Sequence, residues 1–361
     1  MKLGIIGTGK IVHEALFALE PVQNIEKKAI FARPHSYTKA EELAKKYNIA
    51  QIYTDYEELL AKADVECVYI GLVNSAHYSY AKAALLAGKH VILEKPFTST
   101  VAEAKELAEI AREKGLYLLE AIVPMHNEVV DRMKMLLPNL GPIKMVQCNY
   151  SQYSSRYNNY LKGKVEPAFD PELSGGALYD INLYNIYFSV GLFGKPEKAF
   201  YFPNRGFNGI DTSGIAILQY PEFTATCTGA KDSDSPGFVI IQGEKGWIKL
   251  GVHPSFPDHF DAEYQDPNNQ ELVPSPSGGM QRAMISVHFE AEKVHHRMTR
   301  EFADFADIID TKNDAAAHTA LENSLAVIGA LESARKYAKL GISENVSHQG
   351  LIEISTLFEG E

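Results

Sequence analysis

A lysine at the end of a short apolar segment is the first candidate for acid–base chemistry in this sequence. Lys95 follows the apolar segment 90–93 and Glu94, and it precedes Pro96. The proline restricts its own φ and favours an extended conformation at the lysine. A lysine beside another cation has a lowered pKa, which suits proton transfer near neutral pH. Considered alone, however, Lys95 is better explained by a structural ion pair with Glu94 or another carboxylate.

Asp180 and Tyr184 form a second candidate group, four residues apart in a segment that begins with two glycines. Residues at this spacing lie on one face of an α-helix and can converge on one substrate. An unperturbed tyrosine has a pKa of about 10, so Tyr184 needs a nearby cation such as Lys95 to act as an acid or base. The alternative is a buried helix face on which Tyr184 packs among neighbouring aromatic residues.

A glycine turn near the N-terminus has the pattern of a dinucleotide-binding site. The segment 2–6 predicts a buried strand, and a helix is predicted from about Lys10. A turn between them would place a pyrophosphate on the helix amides, although Val12 stands where a third glycine is usual. Lys10 opposes the helix dipole unless an anion binds there, and the alternative is a solvated lysine after a tight turn. The residues predicted to contact the dinucleotide are Gly7, Thr8, Gly9, Lys10 and Ile11.

The end of the second predicted strand favours NADP slightly over NAD. NAD-binding domains usually carry an acid there for the adenosine ribose, but this chain has Arg33, Pro34, His35 and Ser36 after the segment 28–32. A guanidinium forms bidentate hydrogen bonds with phosphate, so Arg33 is predicted to bind a 2′-phosphate with help from Ser36 or His35. The alternative is that Arg33 stacks on the adenine of either cofactor.

The elements that must position these residues change in character along the chain. About the first 120 residues alternate short apolar segments with helical patterns, which predicts a parallel sheet covered by helices on both faces. Further strands are predicted at 66–70, 90–93 and 116–121, and helices at 37–47, 77–87 and 98–113.

After Pro124 the pattern is that of antiparallel strands with Gly, Pro and Asp turns, interrupted by helices near 176–190, 287–309 and 315–339. We therefore predict two domains, a Rossmann domain over 1–121 and an α+β domain with an open, mainly antiparallel sheet over 122–361.

The composition narrows the class of protein and of partner. With 45% hydrophobic and 22% charged residues among 361, the chain is neither disordered nor fibrous. Its net charge of −11 would repel nucleic acid. No apolar segment approaches the ~18 residues of a membrane span. The three cysteines have neither disulfide nor zinc spacing, so we expect a cytoplasmic protein with no metal site and no membrane or nucleic-acid partner.

Three segments together resemble the Gfo/Idh/MocA oxidoreductase family: the glycine turn, the segment 74–77 and the segment 88–96 that ends in Glu94-Lys95-Pro96. The resemblance implies a Rossmann domain followed by a C-terminal domain on an open, mainly antiparallel sheet. It also implies that Lys95 lies between the nicotinamide and the substrate, and that Asn74 and His77 line the cofactor cleft. Glu94 would then orient Lys95 or the nicotinamide ribose.

The segment 175–184 resembles the second signature of the family, with Tyr184 where histidine is usual. That departure resembles the branch with dimeric dihydrodiol dehydrogenase, glucose–fructose oxidoreductase and xylose dehydrogenase. The resemblance implies an NAD(P)-dependent dehydrogenase that acts on a secondary alcohol or carbonyl of a sugar, polyol or cyclic diol. Lys95 and Tyr184 would share the hydroxyl proton, and Asp180 would anchor a neighbouring hydroxyl.

Other readings of the same residues stay open at this point. A member of this family could cleave glycosides without net redox change, and a non-catalytic dinucleotide sensor is a third hypothesis. The segment 150–160, rich in Tyr, Ser and Asn, suits a sugar or polyol substrate but equally suits an exposed loop. The alternating segment 214–218 would leave an apolar sheet face exposed, which predicts a homodimer or a dimer of dimers.

Overall fold

The computed structural model of the chain describes residues 1–275 and 278–340. Its N-terminal part is a six-stranded parallel sheet with the strand order β3-β2-β1-β4-β5-β6. Helices connect the strands and cover both faces of the sheet. The elements of this part are β1 (Lys2–Ile6), α1 (Lys10–Ala18), β2 (Glu26–Phe31), α2 (Tyr37–Tyr47), β3 (Gln51–Tyr53), α3 (Tyr56–Lys62), β4 (Cys67–Ile70), α4 (His77–Leu86), β5 (His90–Glu94), α5 (Val101–Lys114) and β6 (Leu118–Ala121).

The central strands are continuous apolar segments because both faces of a parallel sheet are covered. The predicted strand at 2–6 and helix at 37–47 are confirmed with the same bounds. α5 begins at a capping box in which Thr100 and Glu103 satisfy each other's backbone N–H groups, and it ends at Gly115. The sequence did not predict β3 and α3, because elements of three and seven residues contain little periodicity.

The C-terminal part is an eight-stranded sheet with the order β16-β13-β12-β11-β7-β10-β9-β8, in which only β7 and β10 pair in parallel. The predicted combination of a Rossmann sheet and an open, mainly antiparallel sheet is therefore confirmed. The remaining elements are α6 (Glu128–Leu136), β7 (Ile143–Ser151), α7 (Tyr157–Leu161), α8 (Leu183–Phe193), β8 (Lys198–Arg205), β9 (Asp211–Gln219), β10 (Thr224–Ala230), β11 (Phe238–Gly243), β12 (Gly246–Leu250), β13 (His259–Gln265), β14 (Leu272–Pro274), β15 (Met280–Arg282), β16 (Met284–Glu290), α9 (Thr299–Thr311) and α10 (Asp314–Tyr337).

One predicted helix was wrong over its first half. The segment 287–309 was expected to be helical, but β16 continues to Glu290 and α9 begins only at Thr299. Exposed and half-buried residues alternate along β16, as on a strand at the edge of a sheet. The cause of the error is that a short alternating segment directly before a helix resembles one turn of that helix in the sequence.

The two C-terminal helices return to the N-terminal sheet. Met298, Phe302 and Phe305 are buried in the same apolar cluster as residues of β1, β4 and α1, and the Phe302 ring lies 5.3 Å from the ring of Tyr69 on β4. The C-terminal sequence therefore contributes a wall to the cleft at the carboxyl ends of the parallel strands. α8 and α10 cover the inner face of the second sheet.

Among the described residues, no helix is both long and apolar enough to cross a bilayer.

The carboxyl ends of β1, β4, β5 and β6 face α8 and the segment before α9. Ligands of open parallel sheets bind at these strand ends, so the cleft between the two sheets is where a site is expected.

Candidate active site

The glycine turn has the conformation that a dinucleotide requires. Gly7 has a φ of +118°, and a side chain there would lie 2.6 Å from the Gly71 carbonyl oxygen. Gly9 is the N-cap of α1 and faces open space, so the first amides of the helix are free to bind a phosphate. Val12 is tolerated where a third glycine is usual because Gly71 has no side chain; a Cβ on Gly71 would lie 2.8 Å from Val12 Cγ2.

Lys95, Asp180 and Tyr184 lie together in the cleft. Lys95 follows β5, and its Nζ donates to Asp180 Oδ1 at 3.1 Å and to the Asp180 carbonyl oxygen at 3.2 Å. The same ammonium lies 5.0 Å from the centre of the Tyr184 ring. Asp180 is in a π-helical turn, Leu178–Asn182, that leads directly into α8. The structure thus brings together the three residues predicted to be catalytic.

The pKa values of Lys95 and Tyr184 are both raised in the protein without a dinucleotide. Burial by itself lowers the pKa of Lys95, but Tyr184, Asp180 and Glu94 raise it well above its ordinary value. Burial also raises the pKa of Tyr184, and the nearby Lys95 ammonium only partly opposes this effect. In the protein without a dinucleotide, anionic neighbours and burial thus keep both pKa values above their ordinary values, and the lowering of the Lys95 pKa by a neighbouring cationic ring stays a prediction. Both groups hold a proton that can be donated.

Lys231 is a functional candidate that the sequence analysis missed. Its side chain is 4% exposed, and Nζ donates to Asp180 Oδ2 at 2.6 Å and to the Ala168 carbonyl at 2.9 Å. Burial would raise the pKa of Asp180, but Lys231 and Lys95 lower it well below its ordinary value. Asp180 is therefore an anion shared by two ammonium groups. The only signal in the sequence is that Lys231 directly follows a strand, β10.

Lys95 and Tyr184 separate two cavities of the cleft. The substrate-side cavity measures about 460 Å³, and the cofactor-side cavity measures about 150 Å³ and opens beside the glycine turn. Both residues line both cavities, as does Arg297. The other residues of the substrate-side cavity are Lys10, Tyr150, Gln152, Tyr153, Ser154, Ser155, Arg156, Asp180, Ile181 and Lys231. Other residues of the cofactor-side cavity are Ile11, Glu94, Ala121, Val123, Met298 and Glu301.

Only part of the predicted sugar-binding segment faces the substrate. Residues 150 and 152–156 line the substrate-side cavity, where the Tyr150 ring stacks on His253 with 4.2 Å between centroids. Tyr160 is buried elsewhere, with its hydroxyl 2.6 Å from Asn208 Oδ1. The segment therefore supplies hydroxyl, amide and aromatic groups from its first half, while its second half packs in a separate apolar cluster.

The cofactor-side cavity fits a nicotinamide ring. Its volume matches a single ring with a small substituent, and Ile11, Ala121 and Val123 provide apolar walls. Glu94 is buried, accepts the Tyr69 hydroxyl at 2.8 Å and the Lys95 amide at 3.3 Å, and has a pKa raised by that burial. Glu301 adds a carboxyl group without a hydrogen-bond partner among the described residues.

His77 is not placed as the family resemblance implied. It is fully buried, with Nδ1 2.8 Å from the Pro96 carbonyl oxygen and Nε2 3.2 Å from that of Leu72. Burial lowers the pKa of this histidine, and the two carbonyl contacts partly oppose that effect. His77 therefore supports the loop after Lys95 instead of lining the cleft. Asn74 reaches the domain junction, where its amide donates to the Ser174 carbonyl at 3.0 Å.

The other predicted cofactor residues lie at the rim of the cleft. Arg33 is exposed and has no ion-pair partner within 1–275 and 278–340, and Ser36 precedes α2 in the same turn. Lys10 is exposed at the start of α1, with Glu14 3.9 Å away. These side chains are free to meet phosphate groups, although the protein alone does not fix their positions.

A third cavity, of about 600 Å³, lies on the opposite side of β6. Glu120 lines it, with one oxygen accepting the Tyr187 hydroxyl at 3.0 Å and the other unpartnered among the described residues. Burial raises the pKa of Glu120 to about 7. His126 also faces this cavity, with Nδ1 2.8 Å from Asp304 Oδ2. No described group of His, Cys, Asp and Glu is arranged to hold a metal ion.

Comparison with known proteins identifies the family. Residues 1–121 match the family model described as "Oxidoreductase family, NAD-binding Rossmann fold", and residues 138–249 match the "GFO/IDH/MocA C-terminal domain". The chain belongs to the Gfo/Idh/MocA family. It is therefore an NAD(P)-dependent oxidoreductase, as the sequence predicted.

Relatives within the Gfo/Idh/MocA family include proteins with named activities. The chain is 31% identical to scyllo-inositol 2-dehydrogenase (NADP(+)) IolU of Bacillus subtilis over 93% of this chain and 96% of that protein. It is 29% identical to trans-1,2-dihydrobenzene-1,2-diol dehydrogenase of Sus scrofa over 69% of this chain and 74% of that protein. A solved structure of the 3-ketoreductase KijD10 from Actinomadura kijaniata, in complex with NADP and TDP-benzene, has a TM-score of 0.74 at 22% identity over 93% of this chain and 97% of that one. At that identity it supports the fold alone.

Proposed function

We propose that this enzyme transfers hydride between NADP and a secondary alcohol or carbonyl of a polyol, sugar or cyclic diol. The observation that carries the proposal is the position of Lys95 and Tyr184 as the wall between the two cavities. A proton donor at that wall meets the oxygen of a substrate whose carbon faces the nicotinamide. The named activities of the Bacillus and pig relatives, on an inositol and on a cyclic diol, agree with this substrate class.

The cofactor is held by residues of the N-terminal domain, which we place at 1–121, with the substrate domain at 122–361. The open amides after Gly9 bind the diphosphate, with Lys10 beside them. Arg33 binds the 2′-phosphate, which is why we favour NADP, and Glu94 orients the nicotinamide ribose or Lys95. The bound nicotinamide supplies or accepts the hydride.

Lys95 and Tyr184 move the proton that accompanies the hydride. In reduction the substrate carbonyl carbon gains hydride and its oxygen takes a proton from this pair; in oxidation the pair accepts the hydroxyl proton. Because the pKa values of both groups are raised, the ammonium of Lys95 and the hydroxyl of Tyr184 both keep their protons at neutral pH. The resting protein is therefore prepared for reduction, and oxidation requires one of the two to lose its proton.

Asp180 and Lys231 position the proton-transfer pair. Lys231 occupies one carboxylate oxygen of Asp180 at 2.6 Å, and Lys95 occupies the other at 3.1 Å. Because Lys231 is buried and fixed by a carbonyl as well, it holds Asp180 in place and keeps it ionised. Asp180 can then direct Lys95 towards the substrate while accepting a neighbouring substrate hydroxyl.

A substrate screen tests the proposal. NADPH and NADH oxidation is followed with ketoses, inososes and dicarbonyls, and NADP+ and NAD+ reduction with inositols, aldoses and cyclic diols, for the parent and Lys95→Met. We expect a polyol or its ketone to give turnover that the variant lacks. Sugar release from glycosides with no net change in nicotinamide absorbance would replace the proposal by redox-neutral cleavage. Dinucleotide binding without turnover on any substrate would favour a sensor.

The open face of the second sheet supports assembly. Phe202 is 51% exposed, Met145 45% and Ile215 44%, all on the face opposite α8. An apolar face of this kind marks an interface, so we propose a homodimer or a dimer of dimers. A monomeric mass measured by light scattering at micromolar concentration would refute this proposal.

We also place the enzyme in the cytoplasm, because its three described cysteines are buried and unpaired.

A further inference from the structure

Glu301 is a buried residue whose carboxyl oxygens accept no hydrogen bond from the described residues. It lies in the first turn of α9 and is 1% exposed. Neither of its two carboxyl oxygens has a hydrogen-bond partner among the residues that the structure describes. An unpartnered buried polar group destabilises the folded protein, and such groups in native proteins call for an explanation. The residue also lines the cofactor-side cavity.

The other charged groups of this cavity, Glu94, Lys95 and Arg297, already have partners within the protein. Glu94 accepts hydrogen bonds from the Tyr69 hydroxyl and the Lys95 amide. Arg297, the cation that lines this cavity four residues before Glu301, donates to Glu14 Oε2 at 2.7 Å, and the adjacent Arg300 donates to Asp131 Oδ2 at 2.6 Å. Burial raises the pKa of Glu301 well above its ordinary value, the Glu94 carboxyl acts in the same direction, and Arg297 opposes them. Glu301 is therefore the acceptor that the protein leaves for a ligand.

The size and the walls of the cavity identify the donor. A volume of about 150 Å³ holds one ring with one small substituent, and Lys95 and Tyr184 form the side towards the substrate. The nicotinamide carries one polar substituent, a carboxamide with two N–H donors. We propose that Glu301 accepts a hydrogen bond from the carboxamide N–H of the nicotinamide and so fixes the orientation of the ring. This inference depends on the placement of the nicotinamide beside Lys95 proposed above.

A cofactor analogue tests the hydrogen bond without any measurement of activity. In the 3-acetylpyridine analogue of NADP+, a methyl group replaces the carboxamide NH2. We expect calorimetric titration of the parent to give a dissociation constant about 10-fold higher for the analogue than for NADP+, the size of one hydrogen bond to a buried acceptor. Glu301→Leu should bind the two equally, whereas Glu301→Gln, whose side-chain carbonyl still accepts, should keep the preference.

Glu120→Leu is the matched control. It makes the same change at a buried glutamate that also has an unpartnered oxygen, but in the third cavity on the other side of β6, and it should keep the preference for NADP+. Equal binding of NADP+ and the analogue by the parent would overturn the inference, and so would a preference retained by Glu301→Leu or lost by Glu301→Gln. If Glu301→Leu fails to fold by circular dichroism, the parent and Glu301→Gln decide. A parent that binds no dinucleotide at all contradicts the proposed function instead.

Discussion

The two cavities on either side of Lys95 and Tyr184 differ in charge. The cofactor-side cavity is bordered by two buried carboxyl groups, Glu94 and Glu301. The substrate-side cavity is bordered by Lys95, Lys231 and other cations around the single carboxylate of Asp180. The protein as a whole has a net charge of −11, so the positive charge of this cavity is opposite in sign to the net charge of the chain.

This difference matches the charges of the reacting groups. An oxidised nicotinamide ring is a cation. When the carbon of a substrate alcohol gives up hydride and the hydroxyl proton leaves, negative charge develops on the alcohol oxygen. Carboxyl groups on the first side and ammonium groups on the second stabilise these opposite charges where each develops. In the protein alone, Tyr184, Asp180 and Glu94 raise the pKa of Lys95 and outweigh the effect of its burial.

The largest expected effect comes from removing the proton donor between the cavities. Lys95→Met should lower turnover by about 10²-fold or more, the usual scale of a positioned acid–base group, while the NADP+ dissociation constant stays within a few-fold. Tyr184→Phe should also lower turnover, and the double variant should be little worse than the worse single variant because the pair acts as one unit. Steady-state kinetics and calorimetry measure the two quantities.

Lys89→Met is the control for this experiment. Lys89 lies at the other end of β5 and donates to the Val65 carbonyl, away from both cavities, so its replacement should leave turnover at the parent rate. If Lys95→Met also turned over at the parent rate between pH 6 and 9, the lysine would be structural.

The pH dependence should differ between the two directions. Burial and anionic neighbours hold the pKa values of Tyr184 and Lys95 above their ordinary values, so the fraction able to accept a proton increases with pH. We expect kcat/KM for oxidation to rise about tenfold per pH unit up to pH 9, and kcat/KM for reduction to stay level. A plateau for oxidation below pH 8 would show that the bound dinucleotide lowers these pKa values, as the sequence had predicted.

Lys231→Met tests whether the substrate side depends on its second ammonium group. Loss of a buried hydrogen bond between charged groups costs about 1.5–3 kcal/mol, so kcat/KM should fall about 10- to 100-fold. Removal of this positive charge should also raise the pKa of Asp180 and shift the rise of the oxidation profile to higher pH. Because the oxidation profile has no plateau below pH 9, this shift appears as a fall in kcat/KM for oxidation that exceeds the fall for reduction, whereas a purely structural lysine would lower both by the same factor.

The control is Lys249→Met, the same change at an exposed position of β12 on the same sheet. It should alter neither the rate nor the profile. NADP+ affinity should be unchanged in both variants, because Lys231 touches only the substrate-side cavity.

The smallest effect is expected at the rim of the cofactor side. Arg33→Ala should weaken NADPH binding about 10-fold, through the loss of charge-assisted hydrogen bonds to the 2′-phosphate, and leave NADH binding unchanged. Lys39→Ala, an exposed cation on the adjacent α2, should affect neither. Fluorescence titration with both dinucleotides measures this; equal weakening of NADPH and NADH would mean that Arg33 does not bind the phosphate and that the preference for NADP has no basis.

Much of the cofactor half was predictable because its signals are local. A strand, a glycine turn and a helix start lie within 18 residues in β1 and α1, and their order alone fixes the amides that face a phosphate. Lys95 was predictable for a similar reason, since its place after a buried strand puts it at the edge where ligands bind. Asp180 and Tyr184 were predictable because their spacing of four residues is itself a helical signal in the sequence.

His77 shows where such signals fail. The sequence places it after a strand of the parallel sheet, but it cannot tell whether the ring faces the cleft or the core. The structure turns it towards the carbonyl oxygens of Leu72 and Pro96. The direction of the ring depends on how the segment between β4 and α4 packs against its neighbours, and the sequence pattern does not encode that packing.

The sequence by itself determined the two sheet types, the glycine turn and the group formed by Lys95, Asp180 and Tyr184. The tertiary structure alone decided that Lys231 joins Asp180, that Glu301 enters the cofactor side, and that α9 returns to the first sheet. The physical reason is the distance along the chain over which each kind of interaction acts. Hydrophobic periodicity and turn chemistry act over a few neighbouring residues, whereas the contact between a lysine after β10 and an aspartate before α8 depends on strand register and helix packing that no local pattern encodes.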